Sequence, residues 1–175
     1  MGFKTFLITL SLFALAAPFA VEAQEIELAS YTAEQRWERA ASQFTVSGVS
    51  AIAYAKSMGQ PVEEYAKTVA DLFAPGWGER GSGTLSIVQG MHRNFSLWPD
   101  CEFELLEQSD ASVTARSNRP WARYFGEDEM WYGVSLEEFE TSFQVFNASL
   151  AEHLGLGYED WMENGWWYFK FTLEG

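Results

Sequence analysis

The chain has 175 residues, 25 acids against 11 lysines and arginines, a net charge of −14, 17% aromatic residues and one cysteine. So acidic a surface repels phosphate backbones and anionic lipid heads, which argues against nucleic-acid and peripheral membrane binding. A lone Cys101 cannot form an internal disulfide, so the fold must be held by packing, for which eight tryptophans are ample material.

Residues 1–23 carry one cation, Lys4, then an apolar run from Phe6 to Ala20, then Val21-Glu22-Ala23 with small residues where a signal peptidase reads. This is the pattern of a secretory signal cleaved before Gln24, and the apolar core falls short of the roughly 20 residues a spanning helix needs. The expected location is exported, periplasmic or secreted, with no membrane attachment after cleavage. The remaining 152 residues keep ten cations and 24 anions, so the charge stays at −14. That length suits a single domain, 24–175, large enough to bury a core.

Thr32-Ala33-Glu34-Gln35 forms a capping box, and Trp37, Ala41, Phe44, Gly48, Ile52 and Ala55 keep helical spacing to about Met58. Gly59 ends this first helix and Pro61 opens a second, whose stripe of Val62, Tyr65, Ala66, Val69, Leu72 and Phe73 runs to Pro75-Gly76. So short a connection predicts that the two helices pair as a hairpin. Gly76 to Gly81 has the letters G-x-G-x-x-G, but it follows a helix and Pro75 rather than a strand, so it reads as a connector and not as a dinucleotide loop. A third helix is predicted from Thr84 to about Trp98, interrupted by Gly90.

The period then changes to two. Cys101 to Glu107 and Ser112 to Arg116 alternate about a polar turn, which predicts a β-hairpin. Residues 121–133 are aromatic and charged without a clear period. Ser135 begins the firmest helix: it and Glu138 form a capping box, three glutamates occupy the first turns, and Leu136, Phe139, Phe143, Phe146, Leu150 and Leu154 make one apolar face before Gly155. A closing strand follows, with Trp167, Phe169, Phe171 and Leu173 on its apolar side. The class expected is α+β: N-terminal helices, a small antiparallel sheet with a β-hairpin and a C-terminal strand, and a long helix 135–154 packed on the sheet.

The segment from Tyr132 to Asp160, "YGVSLEEFETSFQVFNASLAEHLGLGYED", followed by "WWYFKF", resembles the C-terminal part of the L-2-amino-thiazoline-4-carboxylic acid hydrolase-like group. The resemblance covers about a third of the chain and implies a fold in which a sheet and helices enclose an apolar pocket. Cysteines recur in that group before the helix and in the last strand. This chain has Tyr132 and Trp167 in those neighbourhoods and Cys101 elsewhere, a departure that bears against thiol or metal hydrolysis.

The chemical inventory is thin. His92 and His153 have no partner at metal-ligand spacing, and Glu127-Asp128-Glu129 lacks the spacing of a calcium loop, so neither metal nor cofactor is expected. His92 is either exposed or part of a pocket, and His153 is expected to sit partly buried at the C-terminus of the long helix. The acids Asp100, Glu102 and Glu104 around Cys101 oppose a reactive thiolate. The sharper feature is Arg116, Arg119 and Arg123 interleaved with Trp121 and Tyr124 and leading to Trp131 and Tyr132. Guanidinium groups among aromatic planes suit a small apolar or aromatic ligand bearing an anionic group; equally, the same arginines would neutralise surrounding acids. The function expected is an exported small-ligand-binding or sensor-like domain, its site at His92, Arg116, Arg119, Trp121, Arg123, Tyr124, Trp131 and Tyr132. The alternative is a small hydrolase of the resembled group.

Overall fold

The computed structural model describes residues 29–78 and 83–174. The expected signal segment and residues 79–81 of the glycine-rich motif lie outside the described residues. Within them run the helices α1 (Ala33–Ser57), α2 (Val62–Gly78), α3 (Thr84–Phe95) and α4 (Leu136–His153). The strands are β1 (Phe103–Gln108), β2 (Ser112–Ser117), β3 (Met130–Trp131), β4 (Val134–Ser135), β5 (Leu156–Glu163) and β6 (Trp166–Leu173). Four strands form an antiparallel sheet in the order β1-β2-β6-β5, and β3 and β4 form a separate two-residue ribbon. This is an α+β fold with a small antiparallel sheet.

Both capping boxes form as read: Thr32 accepts from the Gln35 amide and Ser135 from the Glu138 amide, each with the reciprocal side-chain bond. Gly155, at φ +68°, supplies the left-handed stop after α4. The sequence reading missed β5. Its inward positions are Leu156, Tyr158, Asp160 and Met162, and an aspartate on that side breaks the apolar alternation; Asp160 is held there by donors from Gln144 Nε2 and Trp167 Nε1, both at 2.8 Å. The β5–β6 turn is Asn164-Gly165, at φ 52° and 81°, a two-residue turn whose primed geometry matches the twist of the strands.

α2 also departs from expectation. It runs through Pro75 to Gly78 and lies chiefly along α4, touching α1 only lightly. Its buried stripe is Val62, Ala66, Ala70, Ala74 and Trp77, and alanines every fourth residue let the two helix backbones come close. Extending the helix brings Trp77 onto α3, where a Cβ on Gly90 would lie 2.2 Å from its ring. Gly90 is therefore a seat for an indole rather than a break. Gly48 plays a similar part in α1, where an added Cβ would stand 3.0 Å from Phe139.

The helices cover one face of the sheet. Val113, Ala115 and Ser117 of β2 and Trp167, Phe169 and Phe171 of β6 are buried on it. Phe95 of α3 packs ring against ring with Trp167, Phe169, Trp121 and Phe143, and Trp98 closes the layer with its indole donating to Thr45 Oγ1 at 3.0 Å. The interior is thus filled by aromatic side chains where the resemblance implied an apolar pocket. On α4 the buried set is Leu136, Phe139, Asn147, Leu150 and Ala151, while Phe143 and Phe146 are half-buried. On α1, Trp37 and Phe44 are 45% and 48% exposed, because Thr45 and Val49 take the inward positions.

Candidate functional site

The residues expected to form one site are divided among separate places. Arg119 follows β2 and its guanidinium meets Glu140 of α4 in a fork of 2.5 and 2.6 Å, while Trp121 Nε1 donates to the same carboxylate at 3.0 Å. Trp121 is fully buried in the aromatic layer. A bidentate guanidinium–carboxylate pair joined by an indole donor is a structural node, and it ties the segment after the hairpin to α4.

Arg123 is engaged by Asp100 and by both oxygens of Glu38 at 2.5 and 2.7 Å, and Tyr124 donates to Glu38 at 2.9 Å. From there the planar groups continue as a column: Arg123 lies 5.0 Å from the Tyr124 ring centre, Tyr124 stacks on Trp131 at 6.3 Å, and Trp131 on Tyr132 at 5.8 Å. Tyr132 and Gly133 form the turn between β3 and β4, with φ of 50° and 78°. A tyrosine in the left-handed region is strained, and the turn is held by Lys56, which donates to Gly133 O at 2.8 Å and pairs with Glu138 at 2.5 Å. Burial opposes ionisation of Glu138, but the bonds from Lys56 and Ser135 prevail and hold its pKa below the usual value.

Arg116 goes elsewhere, to the face of the sheet opposite the helices. The pairing register places Glu104, Arg116, Tyr168 and Trp161 in one row, one residue from each strand in sheet order. Each member touches the next. Arg116 pairs with Glu104 at 2.6 Å, donates to Tyr168 Oη at 2.9 Å, and Tyr168 stacks on Trp161 at 5.1 Å with planes 11° apart. Trp166, two residues before Tyr168 on the same face, lies 4.2 Å from the Arg116 guanidinium. This outer face carries no helix among the described residues, and Arg116, Trp166 and Tyr168 are half-exposed on it. Its aromatic content was visible in the sequence only as the polar side of the last strand, because Trp161 belongs to the strand that was missed.

The remaining candidates are simply placed. His92 is exposed on α3, its ring 5.0 Å from Phe103, and His153 is exposed in the last turn of α4 rather than partly buried. Burial pushes the Cys101 thiol up; its contact with Ser117 at 3.7 Å works the other way, and Glu102 adds to the rise. The thiolate needed for nucleophilic attack is therefore disfavoured. Tyr158 Oη is buried without a hydrogen-bond partner, and burial together with the Asp160 charge raises its pKa well above normal; Asn147 favours the phenolate but stands outside hydrogen-bonding geometry. The phenolate of Tyr158 is thereby disfavoured. Two surface concavities lie apart from the outer face, one beside Tyr31, Glu34 and Glu38, the other beside Lys56, Pro61 and Glu138; both are open. Among the described residues no cluster of histidine, cysteine and acidic side chains could hold a metal.

No family model and no curated protein matches the chain. Among solved structures it is similar to the Fe(II) unliganded H-NOX protein from K. algicida, at 15% identity and a TM-score of 0.38. It is also similar to a point mutant of that protein, at 13% identity and a TM-score of 0.39. Each comparison covers 65% of this chain and 62% of the other, so the chain spans less than two thirds of their length. Overlap of this extent assigns the chain neither a family nor a ligand.

Proposed function

We propose that this chain is an exported small-ligand-binding domain, and that its ligand is a flat, largely apolar molecule taken on the outer face of the sheet. The observation that carries the reading is the row Glu104–Arg116–Tyr168–Trp161 with Trp166 beside it. Planar groups stand in contact on a face without a helix, and their exposed edges and faces offer apolar area with polar atoms at one end. An anionic group on the ligand would compete with Glu104, the half-exposed partner, for the Arg116 fork. Export rests on the residue pattern of segment 1–23. A hydrolase of the resembled group would need a thiolate or a metal, and Cys101 is shifted away from the thiolate.

Native mass spectrometry of the protein purified from its exporting host identifies what it carries. Trp166→Ala should weaken retention about tenfold, the upper worth of an aromatic stack, while Cys101→Ser leaves it unchanged. Equal retention by Trp166→Ala and Arg116→Ala would remove the outer face as the site, and turnover lost with Cys101→Ser would establish the hydrolase instead.

A further inference from the structure

The two edges of the sheet are not equivalent. β1, at one edge, is interrupted by a bulge between Leu105 and Glu107, which breaks the regular row of backbone groups. β5, at the other edge, pairs with β6 through eight consecutive residues without interruption, and its far side pairs with no strand among the described residues. Natural edge strands are usually protected against added strands by lysine, proline, a bulge or an inward-pointing charge; β5 has no lysine, proline or bulge, and its one inward charge, Asp160, is engaged within the fold by Gln144 Nε2 and Trp167 Nε1. Its charges are all acidic: Glu159 and Glu163 are exposed on the outer face, two residues to either side of Trp161, which is 39% exposed. Neither glutamate is held in an ion pair among the described residues.

We infer that β5 is a docking edge for an extended basic peptide segment of a partner, which adds to the sheet as a fifth strand. Backbone pairing along β5 supplies the affinity. Side chains that alternate in direction bring every second residue of the incoming strand to the outer face, at the spacing of Glu159, Trp161 and Glu163. Basic side chains there meet two carboxylates and the face of an indole that already packs planar groups. The same charges disfavour a second copy of this chain pairing antiparallel through its own β5 about Trp161, because Glu159 of each strand would then lie against Glu163 of the other.

The test uses the full chain and an arginine–threonine alternating peptide long enough to span β5, with hydrogen exchange and calorimetry as readouts. Binding should slow exchange of β5 amides, weaken with added salt, and fall about two- to fivefold for each of Glu159→Gln and Glu163→Gln, the size of an exposed ion pair. A peptide N-methylated at every residue should not bind, since no amide is left to donate to the β5 carbonyls. Absence of binding, binding that leaves β5 exchange unchanged, equal binding of a glutamate–threonine peptide, or a concentration-dependent dimer protected at β5 would each overturn the inference. None of these outcomes depends on Trp166 or on any co-purifying ligand.

Discussion

Glu140 is where the structure separates a surface charge from a structural one. The carboxylate is 18% exposed and receives three donors: two from Arg119 at 2.5 and 2.6 Å and one from the fully buried Trp121 at 3.0 Å. Glu140→Ala strands the Trp121 N–H in the core, which costs about 1 to 3 kcal/mol for an unsatisfied buried donor. Loss of the partly exposed ion pair adds up to about 1 kcal/mol. Glu140→Ala should therefore cost about 1 to 4 kcal/mol. Arg119→Ala should cost about 1 to 2 kcal/mol, because the carboxylate keeps its bond to Trp121 and some access to water. Glu140→Gln keeps an acceptor for the indole and should fall between them. Urea denaturation of the three single variants and of the Arg119→Ala/Glu140→Ala double variant gives the coupling, expected near 1 kcal/mol. A Glu140→Ala protein within about 0.5 kcal/mol of the parent would show that the node does not hold the fold.

Gly90→Ala should destabilise by about 1 to 3 kcal/mol in the same assay, since the new methyl meets the Trp77 ring and the strain outweighs the roughly 1 kcal/mol gained in helix propensity. Phe143→Ala should cost about 3 to 4 kcal/mol, because its ring packs on Phe95, Trp98, Trp121, Phe139 and Trp167; Phe146→Ala, whose ring meets Phe73 on a more open flank, should cost about half as much. Glu138 has its pKa lowered in the folded state, so its contribution is full above the unfolded carboxylate value and is lost as pH falls through the folded one. Denaturation midpoints measured downward from pH 6 should therefore fall more steeply for the parent than for Glu138→Gln; parallel curves would show that Lys56 does not hold this carboxylate.

The sequence by itself determined the features that depend on neighbours along the chain. The capping boxes at Thr32 and Ser135, the left-handed stop at Gly155, the β1–β2 hairpin and the apolar side of β6 all follow from spacing and local hydrogen-bonding chemistry. The α+β class followed from the order of those periods. Asn164-Gly165 was an equally local signal for the β5–β6 turn, overlooked because Asp160 breaks the apolar side of β5. Tertiary structure alone decided the rest. Whether Gly90 breaks a helix or seats an indole depends on where Trp77 lies, and Trp77 is placed by helix–helix packing far along the chain. Arg116, Arg119 and Arg123 fall within eight residues, yet strand pleat and chain direction send the first to the outer face, the second to Glu140 and the third to Glu38 and Asp100. An arginine's role is set by the carboxylate or ring it meets, and those partners come from elements that only the folded chain brings together.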